Sequence, residues 1–130
     1  AERDGYVETI LKRRRPIVDI DSRQPNRRAL AERMAINSVV QGSAADLIKV
    51  AMIDLHARLS ANAERDGGAR PEVRGVRMLV QIHDELLFEV EEGSAGAAEK
   101  VIAERMESAM ELSVPLVVET FSGVSWFEGK

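Results

Sequence analysis

The hydrophobic period along the chain changes several times, and each change predicts an element. From Met78 onward the period is two: Met78, Val80 and Ile82 alternate with Arg77, Leu79 and Gln81, and further on Leu86, Phe88 and Val90 alternate with Leu87 and Glu89. Strict alternation marks strands, because successive side chains leave a strand on opposite faces. Only His83, Asp84 and Glu85 interrupt the two arms, and aspartate tolerates the left-handed backbone that a tight hairpin demands. The pattern therefore predicts a hairpin with two carboxylates and an imidazole at its tip.

Elsewhere the period is helical. Leu47, Ala51, Leu55 and Leu59 fall at fourfold spacing with Ile48 and Met52 beside them, a broad apolar face that predicts the main helix, reaching about residue 61. Ser43 and Asp46 have the spacing of a capping box, so that helix is expected to resume there after β-branched residues and glycine weaken helix propensity over 38–42. Residues 27–37 are rich in helix formers, follow cap and turn residues at 22–26, and are expected to bury Leu30, Met34 and Ile36. At the start of the chain, residues 6–11 are β-prone and Pro16 forbids a helix, so residues 17–20 are expected to pair back on them as a ribbon. Downstream, Ser94 is expected to cap a helix that buries Ala98, Val101, Ile102, Met106 and Ala109 and runs to about residue 112. Pro115 ends it, and the β-branched residues 116–121 read as an inner strand. Residues 61–75, glycine-rich and polar, read as a loop. The order is ribbon, long helix, hairpin, helix, strand: an α+β fold in which an antiparallel sheet, the central hairpin plus further strands, packs against a long helix and a second helix.

Composition narrows the chemistry. At 130 residues and 45% hydrophobic content the chain is the size of one globular domain. It contains no cysteine and two histidines, which excludes disulfides, thiolate nucleophiles and cysteine-ligated metals, so any metal is expected to be oxygen-bound. No apolar run approaches a membrane span and no secretory signal is present; the expected setting is soluble and cytoplasmic, with no membrane partner. The net charge of −4 hides an uneven distribution, with Lys12, Arg13, Arg14, Arg15, Arg23, Arg27, Arg28 and Arg33 in the first third and acidic residues dominant from Asp84 onward. A basic segment beside an acidic hairpin is the arrangement a phosphate-backbone binder with a cation site needs.

Three segments then bear on identity. They are Gly5-Tyr6-Val7-Glu8-Thr9 with Arg13-Arg14-Arg15, Glu32-Arg33-Met34-Ala35-Ile36-Asn37 leading into Gln41-Gly42-Ser43-Ala44-Ala45-Asp46, and Gln81-Ile82-His83-Asp84-Glu85. In this order and spacing they resemble the C-terminal part of the polymerase domain of family A DNA polymerases, the DNA polymerase I type, and the third is similar to that family's motif C. The resemblance covers nearly the whole chain. Departures are Ile82 where valine is usual, Ser43 where threonine is usual, Lys12 where glycine is common, and a longer loop at 62–74.

The resemblance implies that residues 1–130 are part of a palm, without the upstream palm, fingers and thumb motifs, belonging to a template-directed DNA polymerase and inactive by themselves. It implies that Asp84 and Glu85 are catalytic residues and metal ligands for two Mg2+ ions, with a second aspartate supplied by an upstream motif. It also implies that His83 and Gln41 contact DNA at the primer terminus, that Arg33 and Asn37 lie near template and primer, and that the partners are primer–template DNA and, in the full-length protein, dNTP. Two other readings of the residues stay open. One is a non-catalytic nucleic-acid-binding module that uses the basic first third. The other, ranked lower, is a metal-dependent phosphohydrolase, for which only His56, on the apolar helix, remains as a further histidine.

Overall fold

The computed structural model describes residue 1, residues 4–59 and residues 73–129. Its elements are β1 (Tyr6–Glu8), β2 (Arg14–Pro16), α1 (Pro25–Leu59), β3 (Val76–Ile82), β4 (Glu85–Val90) and α2 (Ala95–Glu107), with short 3-10 turns at Glu92–Ser94 and Trp126–Gly129. The class is α+β, with two separate two-stranded antiparallel sheets, a long helix and a second helix. Most of the loop expected at 61–75 lies outside the described residues. The chain divides into two compact units, Ala1–Leu47 and Ile48–Lys130.

In the first unit the expected ribbon forms with a different partner. β1 pairs with β2, Tyr6 opposite Pro16 and Glu8 opposite Arg14, whereas Ile17 and Ile20 are buried with Ala31, Ala35 and Val7. Pro16 ends the strand without cost at the ribbon edge, where its missing N–H is not needed. The stripe of α1 that is covered is Ala31, Ala35 and Ser38, not Leu30, Met34 and Ile36, which are exposed. Small side chains let Ile17 and Ile20 approach the helix, and periodicity by itself cannot tell which of two adjacent stripes a ribbon will cover.

α1 also runs unbroken through 38–42, so the expected break and the capping box at Ser43 are absent. The propensity penalty there is about 1 kcal/mol for glycine and less for each valine. Tertiary hydrogen bonds to Ser43 and Asp46, given below, outweigh it. The helix opens with Pro25 at its first position, where the missing N–H has no intrahelical partner to lose.

In the second unit, Leu55, Leu59, Val73, Val76, Ala98 and Ile102 are buried together, with Met78, Leu86, Phe88 and Val90 packed around them. This is the core expected from the fourfold spacing of α1 and the alternation of the hairpin. His56, expected on the buried helix, is exposed. The hairpin register runs from Val76 opposite Val90 to Ile82 opposite Glu85, and it shifts between Met78 and Val80, so that Leu79 is an extra residue on β3. This bulge throws Val80 out of the inward set, and both Leu79 and Val80 are exposed.

α2 stops at Glu107, earlier than expected, where Ser108 Oγ donates 2.6 Å to the Glu104 carbonyl. Ser94 precedes α2 but makes no side-chain cap bond. The inner strand expected at 116–121 is not formed. A strand needs an edge to pair with, and here Val118 N–H donates to Glu107 Oε1 and Thr120 Oγ1 to Glu99 Oε1 instead. Val117 is 80% exposed, incompatible with an inner position.

Candidate nucleic-acid interface and carboxylate tip

The carboxylates sit where the hairpin pattern puts them. β3 ends at Ile82 and β4 begins at Glu85, so the turn is two residues, His83-Asp84, the tightest common connection between antiparallel strands. His83, not Asp84, adopts the left-handed conformation, with φ 55°. The Gln81 amide donates 2.9 Å to the His83 carbonyl and braces the turn from the adjacent strand. His83, Asp84 and Glu85 are all exposed. Among the described residues neither carboxylate has an ion-pair partner. Among the same residues no three His, Cys, Asp or Glu side chains come together as a metal site; the carboxylates of Asp84 and Glu85 are hard oxygen donors.

In the first unit Arg33, Asn37 and Gln41 fall at fourfold spacing on α1, which places them in one row on the helix. They line an open groove of about 370 Å³ together with Leu30, Met34, Ser38 and Arg15. The structure thus brings three of the sequence-predicted DNA contacts together in the first unit, and His83, Asp84 and Glu85 together in the second.

Arg15 is the groove residue that sequence reasoning did not separate from its neighbours. The structure divides the arginine triplet by function. Arg13 pairs with Asp46 at 2.8 Å and donates 3.2 Å to the Gly42 carbonyl. Arg14 turns the other way, 3.0 Å from Glu8 Oε1 and 4.6 Å over the Tyr6 ring; the hydrogen bond to Glu8 and then the nearby Tyr6 raise its pKa. Arg15 is exposed and, among the described residues, has no ion-pair partner. The available signal was period two, which puts successive arginines of a strand on opposite faces and so separates Arg14 from Arg13 and Arg15.

The comparisons with known proteins agree with the motifs. Residues 1–128 match the family described as DNA polymerase family A, and the chain belongs to that family. It is 46% identical over 126 residues to DNA polymerase I of Streptococcus pneumoniae serotype 4, covering 97% of this chain and 13% of that protein. It is 44% identical over 130 residues to DNA polymerase I of Bacillus subtilis, covering 100% of this chain and 14% of that protein. A solved structure, the POL domain of Pol1 from M. smegmatis in complex with DNA primer-template and dNTP, superposes with a TM-score of 0.70 at 47% identity, covering 89% of this chain and 19% of that one. The chain thus spans about one-seventh of the length of the curated relatives it matches.

Proposed function

We propose that residues 1–130 are the C-terminal palm part of a template-directed DNA polymerase that transfers a nucleotidyl group from dNTP to a primer 3′-hydroxyl. One observation carries the reading: a tight hairpin in a family A chain presents two carboxylates that no described residue neutralises. Support comes from the M. smegmatis neighbour, whose structure holds primer-template DNA and dNTP.

In this reading Asp84 and Glu85 hold magnesium jointly with an aspartate from another part of the polymerase. Oxygen-only donors suit that hard ion, and their exposure leaves their lone pairs available. When bound, a pair of such ions activates the attacking hydroxyl and stabilises the leaving oxygen. The protein's own share is placement. The two-residue turn fixes the carboxylates on a rigid strand end, and the Gln81 brace limits the turn's motion. Arg33 supplies charge to the DNA backbone, and Gln41 and Asn37 present amide donors and acceptors beside it. Minor-groove acceptors are common to every correct base pair, so a Gln41 amide can sense pairing without reading sequence. His83 contacts the DNA near the primer end. The fragment by itself lacks the second aspartate and the nucleotide site, and is inactive.

Primer extension with magnesium by the full-length protein, wild type against Asp84→Asn, tests this, with duplex binding measured in parallel. Loss of a metal ligand worth about 4 kcal/mol slows extension roughly a thousandfold, while binding stays within a few-fold. Equal extension by the two proteins overturns the reading. The groove holding Arg15 and Arg33 supports a second reading, a non-catalytic nucleic-acid-binding module. That module binds duplex with a steep salt dependence and is indifferent to magnesium and to Asp84.

A further inference from the structure

Asp46, in the middle of α1, is a buried carboxylate, 5% exposed. It accepts hydrogen bonds from Thr9 Oγ1 and from Leu11 N–H at 3.4 Å, and pairs with Arg13 at 2.8 Å. Thr9 Oγ1 in turn accepts from Arg13 N–H at 3.2 Å, and Ser43 Oγ accepts from Ile10 N–H at 3.0 Å. Apart from the Arg13–Thr9 bond, which closes the turn on itself, these bonds tie the connection between β1 and β2 to one turn of helix, residues 43–46. Burying a carboxylate costs several kcal/mol unless it is paired and hydrogen-bonded, and the ribbon needs no such charge in order to pair its strands.

What the anchor fixes is the direction of β2. Arg13 is held on the helix, and two residues further along a strand the next side chain on the same face is Arg15. That residue lines the groove with Arg33, Asn37 and Gln41. Arg14, on the other face, is engaged with Glu8 and Tyr6. The groove is therefore lined by two arginines, Arg15 and Arg33, without ion-pair partners among the described residues, a charge arrangement that calls for an anion.

We propose that Asp46 is a positioning residue that anchors the ribbon turn on α1 and so holds Arg15 in the groove, where its guanidinium takes a phosphate of the primer–template backbone. This rests on the polymerase reading above. Asp46 touches no DNA; it acts through Arg15.

A four-protein cycle in the full-length polymerase tests it: wild type, Asp46→Asn, Arg15→Gln and the double variant, each assayed for primer–template binding over a range of salt. One phosphate contact contributes about 0.9 to the slope of log affinity on log salt, or roughly eightfold in affinity at about 0.1 M salt. Arg15→Gln loses that slope and that factor. Asp46→Asn loses a comparable amount, and the double variant binds no more weakly than Arg15→Gln. Equal weakening by Asp46→Asn whether Arg15 is intact or already replaced, or an unchanged salt slope, shows Asp46 to be structural only and overturns the proposal. So does wild-type binding by Arg15→Gln. Should Asp46→Asn fail to melt cooperatively, Thr9→Val decides in its place. It keeps shape and charge, removes the hydroxyl shared by Asp46 and Arg13, and follows the same pattern with a smaller factor if the anchor acts through Arg15. Wild-type primer extension separates the two levels: a wild type that does not extend primers refutes the polymerase reading, whereas one that extends while the cycle is additive refutes the Asp46 inference alone.

Discussion

Replacing Gly42 by alanine measures how closely the ribbon lies against α1. The added Cβ would stand 2.5 Å from Thr9 Cγ2 and 3.7 Å from Thr9 Cβ. Carbon atoms rest at about 3.5–4.0 Å, so the Thr9 methyl has to retreat by about 1 Å. It cannot swing aside cheaply, because a β-branched side chain has few χ1 choices and its hydroxyl is engaged by both Asp46 and Arg13. Overpacking of this kind costs about 1–3 kcal/mol. Alanine for glycine inside a helix recovers about 1 kcal/mol. The net is a loss of up to about 2 kcal/mol, located where ribbon meets helix. With Thr9→Ser already in place the sign reverses, since serine keeps the hydroxyl and removes Cγ2, and alanine at 42 then contributes its helix gain without the clash. Amide hydrogen exchange in the full-length protein reads this locally, at the Ile10 and Arg13 N–H groups bonded to Ser43 and Thr9. Protection there is expected to fall by up to roughly thirtyfold in Gly42→Ala. In the Thr9→Ser background it is expected to rise. A rise in protection with Thr9 intact would refute the close approach.

Leu55 is fully buried in the second unit's core, so Leu55→Ala is expected to cost about 2–5 kcal/mol, seen as a lower urea midpoint; a loss below about 1 kcal/mol would mean that this core is not packed as described. Lys12 holds φ 64° in the ribbon turn, which a side chain with Cβ adopts at a cost of about 1 kcal/mol or more. Lys12→Gly should therefore raise exchange protection across residues 10–13, and no change would show that the turn is unstrained. His83 has φ 55°, a conformation glycine accepts freely. His83→Gly is expected to change hairpin stability by less than about 1 kcal/mol while weakening primer–template binding; unaltered binding would leave His83 as a turn former only.

The hairpin and its tip were legible in the sequence because half-buried strands alternate with period two, but the bulge at Leu79, which shifts the register and turns Val80 outward, was not. The apolar face of α1 from Ile48 to Leu59 was legible for the same reason, since one face meets one core. What the period could not carry was any decision that depended on a partner. Whether 116–121 is a strand depends on a free edge, and the side chains of Glu99 and Glu107 take its polar groups instead. Whether α1 breaks at Gly42 depends on bonds from Thr9, Ile10, Leu11 and Arg13, more than thirty residues away for Thr9 and Asp46, which local propensity does not see. The motif residues Arg33, Asn37 and Gln41 were named from the sequence, and their fourfold spacing already put them in one row. Only the tertiary structure brought Arg15, from β2, into the groove beside that row. It did so by committing Arg13 to Asp46 and Arg14 to Glu8: period two sets the middle arginine apart from the other two, but which face meets the helix is decided by packing.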